Sequence, residues 1–94
     1  MYQARYMPAA DQDMADLDPP VAKRIYKRVK WLSENLDSIT PEPLEGPWKG
    51  KYKFRVGDYR VIYSIAPDGV RVLKIGHRRD VHREAESRLL GWEQ

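Results

Sequence analysis

Apolar side chains recur at helical spacing through the first third of the chain and at alternate positions after that. Val21, Ile25, Val29, Leu32 and Leu36 follow one another at steps of four, four, three and four. That spacing lines up one stripe on a helix over residues 18–36, "DPPVAKRIYKRVKWLSENL". Asp18 is placed to cap it, and the two prolines suit its first turn. Lys23, Arg24, Lys27, Arg28 and Lys30 fall at other angles, as a solvated face with stems on the core edge. Upstream, "PAADQDMADL" (residues 8–17) reads as a first helix, with Ala9, Ala10, Met14 and Leu17 less polar. "YQARYM" (residues 2–7) reads as a short strand. The prolines of "SITPEPLEGP" deny further helical bonds, so this stretch is expected to be a linker.

Beyond the linker the period drops to two. "KYKFRV" sets Tyr52, Phe54 and Val56 against Lys53 and Arg55. "YRVIYSI" sets Tyr59, Val61, Tyr63 and Ile65 against Arg60, Ile62 and Ser64. "VRVLKI" sets Arg71, Leu73 and Ile75 against Val70, Val72 and Lys74. The joints "GD" and "APDG" are hairpin turns; Asp58 is a turn residue, and Gly69 is suited to a positive φ. The tail "EAESRLLGW" reads as a last short helix. The expected fold class is α+β: two N-terminal helices packed on a small, mainly antiparallel sheet. The length of 94 residues fits a single domain over residues 1–94.

Charge sharpens this picture because it is uneven. Residues 1–50 carry 7 basic and 8 acidic side chains, residues 51–83 carry 9 and 3, and residues 84–94 carry 1 and 3. The middle segment, at a net +6, attracts phosphates or an acidic protein. Both histidines, His77 and His82, fall inside it, in "VLKIGHRRDVHR". The absence of cysteine excludes disulfides, iron–sulfur clusters and thiolate zinc sites. Two histidines among scattered carboxylates make a poor metal site, so no metal or cofactor is expected. The start lacks the basic lead and apolar core of a signal peptide, and no apolar run is long enough to span a membrane. A cytoplasmic protein with no membrane partner is the expectation.

"YKFRVGDYRVIYSI" followed by "VLKIGHRRDVHR" resembles the RelE branch of the RelE/ParE toxin superfamily. The resemblance implies a RelE-like fold related to microbial ribonucleases. It implies a metal-independent endoribonuclease that cuts messenger RNA in the decoding site of the ribosome, as the toxin of a type II toxin–antitoxin system. It also implies a cognate RelB-like antitoxin, and with it a toxin–antitoxin heterotetramer. ParE-like members share the scaffold and act on DNA gyrase, which is the alternative reading. A non-catalytic nucleic-acid-binding module is the third.

Residue by residue, the resemblance assigns catalysis to Lys53 and Arg55 in "YKFR", Arg60 after "GDY", Arg78 in "GHRRD", and His82 in "DVHR", where relatives often have tyrosine. Lys51, Lys74, His77, Arg79 and Arg83 are the RNA-binding candidates. In such a reaction the 2′-hydroxyl of RNA attacks the adjacent phosphorus. Arginines suit the charge that builds on the phosphoryl oxygens, since their rigid forks match phosphate and stay charged. Lys53 is expected as base or electrostatic helper, and His82, with His77 second, as the acid. Apart from any family, the alternation over residues 51–60 is that of a solvated sheet face.

Overall fold

The computed structural model describes residues 2–44 and 50–77. The chain opens with strand β1 (Gln3–Tyr6) and helices α1 (Pro8–Ala15) and α2 (Pro19–Glu34). A 3-10 turn (Leu36–Ser38) leads to the short strand β2 (Glu42–Pro43), then β3 (Tyr52–Val56), β4 (Tyr59–Ala66) and β5 (Gly69–His77). The strands form one sheet in the order β1-β5-β4-β3-β2. The β1–β5 pair is parallel and the others are antiparallel. The α+β class read from the sequence is what the chain adopts.

The helical stripe does the packing. Ile25, Val29 and Leu32 are fully buried, and Leu36 nearly so. They meet Val56, Val61, Tyr63, Val70, Val72 and Ile75 from one face of the sheet, with Ala10 of α1 closing the core. Burying each of these aliphatic side chains contributes roughly 1.5–3 kcal/mol. Asp18 occupies the N-cap position of α2, but its side chain makes no capping bond; the prolines do fill the first turn.

Two expectations change. The linker read over "SITPEPLEGP" contains β2, an edge strand in which Glu42 stands opposite Lys53 and Pro43 opposite Tyr52. Prolines are tolerated there because an outer edge has no further ladder to feed. Second, a bulge interrupts the β4–β5 ladder. Ile62 faces Lys74 and Tyr63 faces Val72, so the register shifts by one residue at Leu73. The extra residue reverses the alternation. Ile75 therefore joins Val70 and Val72 in the core, not Arg71 and Leu73. Lys74 is separated from Val70 and Val72 and shares the side of Ile62.

The glycines at the turns have separate reasons. Gly57 (φ 59°) opens the two-residue hairpin between β3 and β4, as the glycine-first turns that match strand twist require. Gly69 (φ 144°) also has the Gln3 carbonyl so close that a Cβ would sit 2.0 Å from its oxygen. The parallel seam between β1 and β5 depends on that missing side chain.

Candidate functional site

In consecutive antiparallel strands, directly opposed residues share a face. Lys53 and Arg55 of β3 stand opposite Ile62 and Arg60 of β4, and Glu42 of β2 stands opposite Lys53. Glu42, Lys53, Arg55 and Arg60 thus gather on the side of the sheet away from α2, around a cavity of about 140 Å³. Lys53 Nζ lies 3.4 Å from Glu42 Oε1. Arg55 Nε donates to the Gly57 carbonyl and Arg60 to that of Tyr59, both at 3.4 Å, the long limit of such bonds. Neither guanidinium forms an ion pair with a carboxylate among the described residues. Two arginines directly opposed across a ladder repel each other. An anion between them would turn that cost into binding.

The other sequence candidates divide. Lys51 precedes β3, half-buried, outside the residues that line this cavity. Lys74 is turned inward: its side chain is 5% exposed and its ammonium pairs with Asp13 Oδ1 of α1 at 3.0 Å. His77 stands opposite Tyr59 and meets its ring edge-on at 5.8 Å. That places it on the α2 side of the sheet, away from the cavity. Arg78, Arg79, His82 and Arg83 lie outside the described residues, as do Trp48, Asp80 and the tail.

Glu42 was missed by the sequence reading. It is the one carboxylate among the described residues that line the cavity, and its signal was slight: an acid between two prolines, in a segment held extended ahead of the basic strand.

A second cleft of about 280 Å³ adjoins the first and shares Glu42, Lys53 and Arg55 with it. Trp31, Phe54 and Tyr63 are the aromatic part of its lining. Burial, then the neighbouring Tyr52 hydroxyl, push the Tyr63 phenol up to about 12. It is therefore protonated at neutral pH and is no base. A phenol raised in this way stabilises the fold in full below its unfolded value of 10.0 and loses that contribution as pH climbs to about 12. Urea unfolding should show stability falling across that window, and falling less in Tyr63→Phe. Equal slopes in the two proteins would refute this linkage.

Among the described residues, no three His, Asp or Glu side chains gather to hold a metal ion. No helix there is long and apolar enough to cross a membrane.

Comparison with known proteins adds the following. A family model described as the ParE toxin of type II toxin–antitoxin systems, parDE, matches residues 4–82. No curated protein sequence matches. A chain of the toxin–antitoxin complex RelBE2 from Mycobacterium tuberculosis is 25% identical, covering 81% of this chain and 96% of its own, with a TM-score of 0.71. The isolated RelE toxin of Escherichia coli is also 25% identical, over 95% of this chain and 99% of its own, with a TM-score of 0.63. A chain of the chromosomal ParDE system of Pseudomonas aeruginosa shares the fold at 16% identity, over 82% and 96% of the two chains, with a TM-score of 0.63.

Proposed function

The chain belongs to the ParE toxin family of type II toxin–antitoxin systems, and from that premise we propose that this toxin cleaves messenger RNA on the ribosome. The observation that carries the reading is the cavity in which Lys53, Arg55 and Arg60 surround Glu42. The 2′-oxygen of a nucleotide bound there bonds to phosphorus while the bond from phosphorus to the 5′-oxygen breaks. Glu42 takes the 2′-hydroxyl proton. The three cations hold the non-bridging oxygens, where negative charge grows in the transition state. The products are a 2′,3′-cyclic phosphate and a 5′-hydroxyl. His82, on the resemblance to RelE, returns a proton to the departing oxygen. The resemblance to RelE makes Lys53 the base or an electrostatic helper; the Glu42 carboxylate, 3.4 Å from it, is the group we assign to proton removal.

A ParE-like inhibitor of DNA gyrase is the second reading. The family description itself favours it, and supports it more directly than it supports RNA cleavage. The two part on products. Expressing the toxin and mapping transcript 5′ ends on translating ribosomes yields cuts within codons if RNA is the substrate. Intact transcripts, with supercoiling lost or DNA cleaved, would establish the gyrase reading instead. In either case the partner we propose is a cognate antitoxin, since several similar chains come from complexes with one.

Arg60→Ala should lower the single-turnover cleavage rate about a hundredfold, the usual cost of one donor to a developing oxyanion. Ribosome affinity should fall less, because Lys53 and Arg55 still hold phosphate. The fold should survive, since among the described residues the side-chain bond Arg60 makes is a long one to Tyr59. Weaker affinity with an unchanged saturated rate would reduce Arg60 to a binding residue.

A further inference from the structure

The cleft beside the cationic cavity has a construction that phosphate binding does not explain. Trp31 leaves a large ring on the surface of α2, 39% exposed. Phe54 of β3 stacks on it, with ring centres 6.2 Å apart and planes at 11°. The Arg28 guanidinium lies 4.7 Å from the Trp31 ring and 5.4 Å from that of Phe54. A cation on the indole face opposite Phe54 would be far more distant from Phe54 than that. Arg28 and Phe54 therefore cover one side of the indole, and the remaining face and edges account for its exposure. Held from behind by a ring and a cation, the indole is a fixed, electron-rich platform.

Its position gives the platform a use. The cleft of about 280 Å³ that Trp31 lines also has Lys53 and Arg55 in its wall, and the same two residues line the cationic cavity. A nucleotide with its phosphate on these cations has its base within reach of the cleft. Thr40, Pro41 and Glu42 also line the cleft and add a hydroxyl and a carboxylate to the groups available to a base edge. The geometry points to a nucleobase subsite: Trp31 stacks an unpaired base of single-stranded RNA whose phosphate occupies the cavity of Lys53, Arg55 and Arg60. This rests on the RNA reading given above and adds to it a residue, on α2, that holds the substrate without taking part in the chemistry. Single-stranded RNA is the occupant that charge and shape select together, because cations adjoin an aromatic face and splayed bases supply both partners.

Trp31 can report on its own ligand. Trp48→Phe with Trp92→Phe leaves it the sole indole of a chain that has three. The probe is a single-stranded 2′-O-methyl RNA trinucleotide, which has no free 2′-hydroxyl and stays intact. Its control is the abasic trinucleotide of equal charge. The base-bearing probe should quench Trp31 fluorescence saturably and bind at least about fivefold more tightly than the abasic one, the lower end of a single stacking contact. Trp31→Ala should reduce its affinity to the abasic level, whereas Trp31→Tyr should keep most of it. The quenching and the tyrosine variant carry the test even if the alanine variant does not fold. Equal binding of the two probes, or affinity untouched by Trp31→Ala, would overturn the subsite. Base-dependent quenching without cleavage on ribosomes would uphold the subsite and count against the RNA-cleavage reading. Cleavage without base-dependent quenching would remove the subsite alone.

Discussion

Glu42→Gln should slow single-turnover cleavage on programmed ribosomes by roughly a hundred- to ten-thousandfold, the range spanned by a positioned general base. Glutamine keeps the size and planarity of the side chain and removes its basicity. The fold should barely notice. Glu42 is 66% exposed, and its contact with Lys53 is a surface ion pair of the kind worth about 0–1 kcal/mol. Melting temperature is thus the control, and the rate at saturating toxin is the readout. The competing role for Glu42 predicts the opposite sign. If its carboxylate only neutralises Lys53 in the free protein, glutamine releases an ammonium for phosphate. RNA binding then tightens and the rate holds or rises. That result would return proton removal to Lys53, where the resemblance to RelE puts it, and would make Glu42 a brake on substrate binding.

Much of this site was legible because it lies on consecutive strands. Lys53, Arg55 and Arg60 sit close to one hairpin, and alternation alone sends them to one face once the "GD" turn fixes the register. Glu42 was hidden by its prolines. "PEP" reads as a helix stop, and nothing local says that two of its residues pair with β3 as an edge strand. The same limit applies to the strand "VRVLKI". It can alternate in either of two phases, and only the register shift at Leu73 decides that Ile75 faces the core. The α2 stripe was readable for the converse reason: its spacing is local, so packing had only to accept it. Trp31 was read merely as part of that helix, since its ring partner Phe54 comes from β3, a distant stretch of chain. Lys74 is the clearest case of a residue whose partner no local pattern reveals. Among so many basic side chains it looked like one more phosphate ligand, while the carboxylate that holds it lies 61 residues upstream.

Removing that carboxylate is expected to produce the largest loss of stability. Strand β1 ends at Tyr6, while its neighbour β5 runs on to His77. After Met7 N–H donates to the Val72 carbonyl, no further strand among the described residues covers this edge, and α1 lies beside it. Asp13 of α1 supplies what a strand would have supplied: its Oδ2 accepts the Ile75 N–H at 3.0 Å, while Oδ1 takes the Lys74 ammonium at the same distance. The Asp13 and Lys74 side chains are 12% and 5% exposed. Asp13→Ala removes both bonds and takes the carboxylate from a buried ion pair, a loss that typically costs about 3–5 kcal/mol. Folded domains of this size hold only about 5–15 kcal/mol in reserve, so the urea midpoint should drop sharply. Lys74→Met with Asp13→Asn should recover much of the loss, because an apolar stem fills the same space and the amide oxygen can still accept from Ile75. The consequence reaches the site through one register pair. Arg60 stands opposite Gly76, the residue after Ile75, so loosening this edge should misplace Arg60 and lower cleavage before the protein unfolds. A double variant that is stable, binds RNA as tightly as the wild type and cleaves at its rate would confirm Lys74 as part of the scaffold. Weaker RNA binding in that folded variant would restore Lys74 as a phosphate ligand.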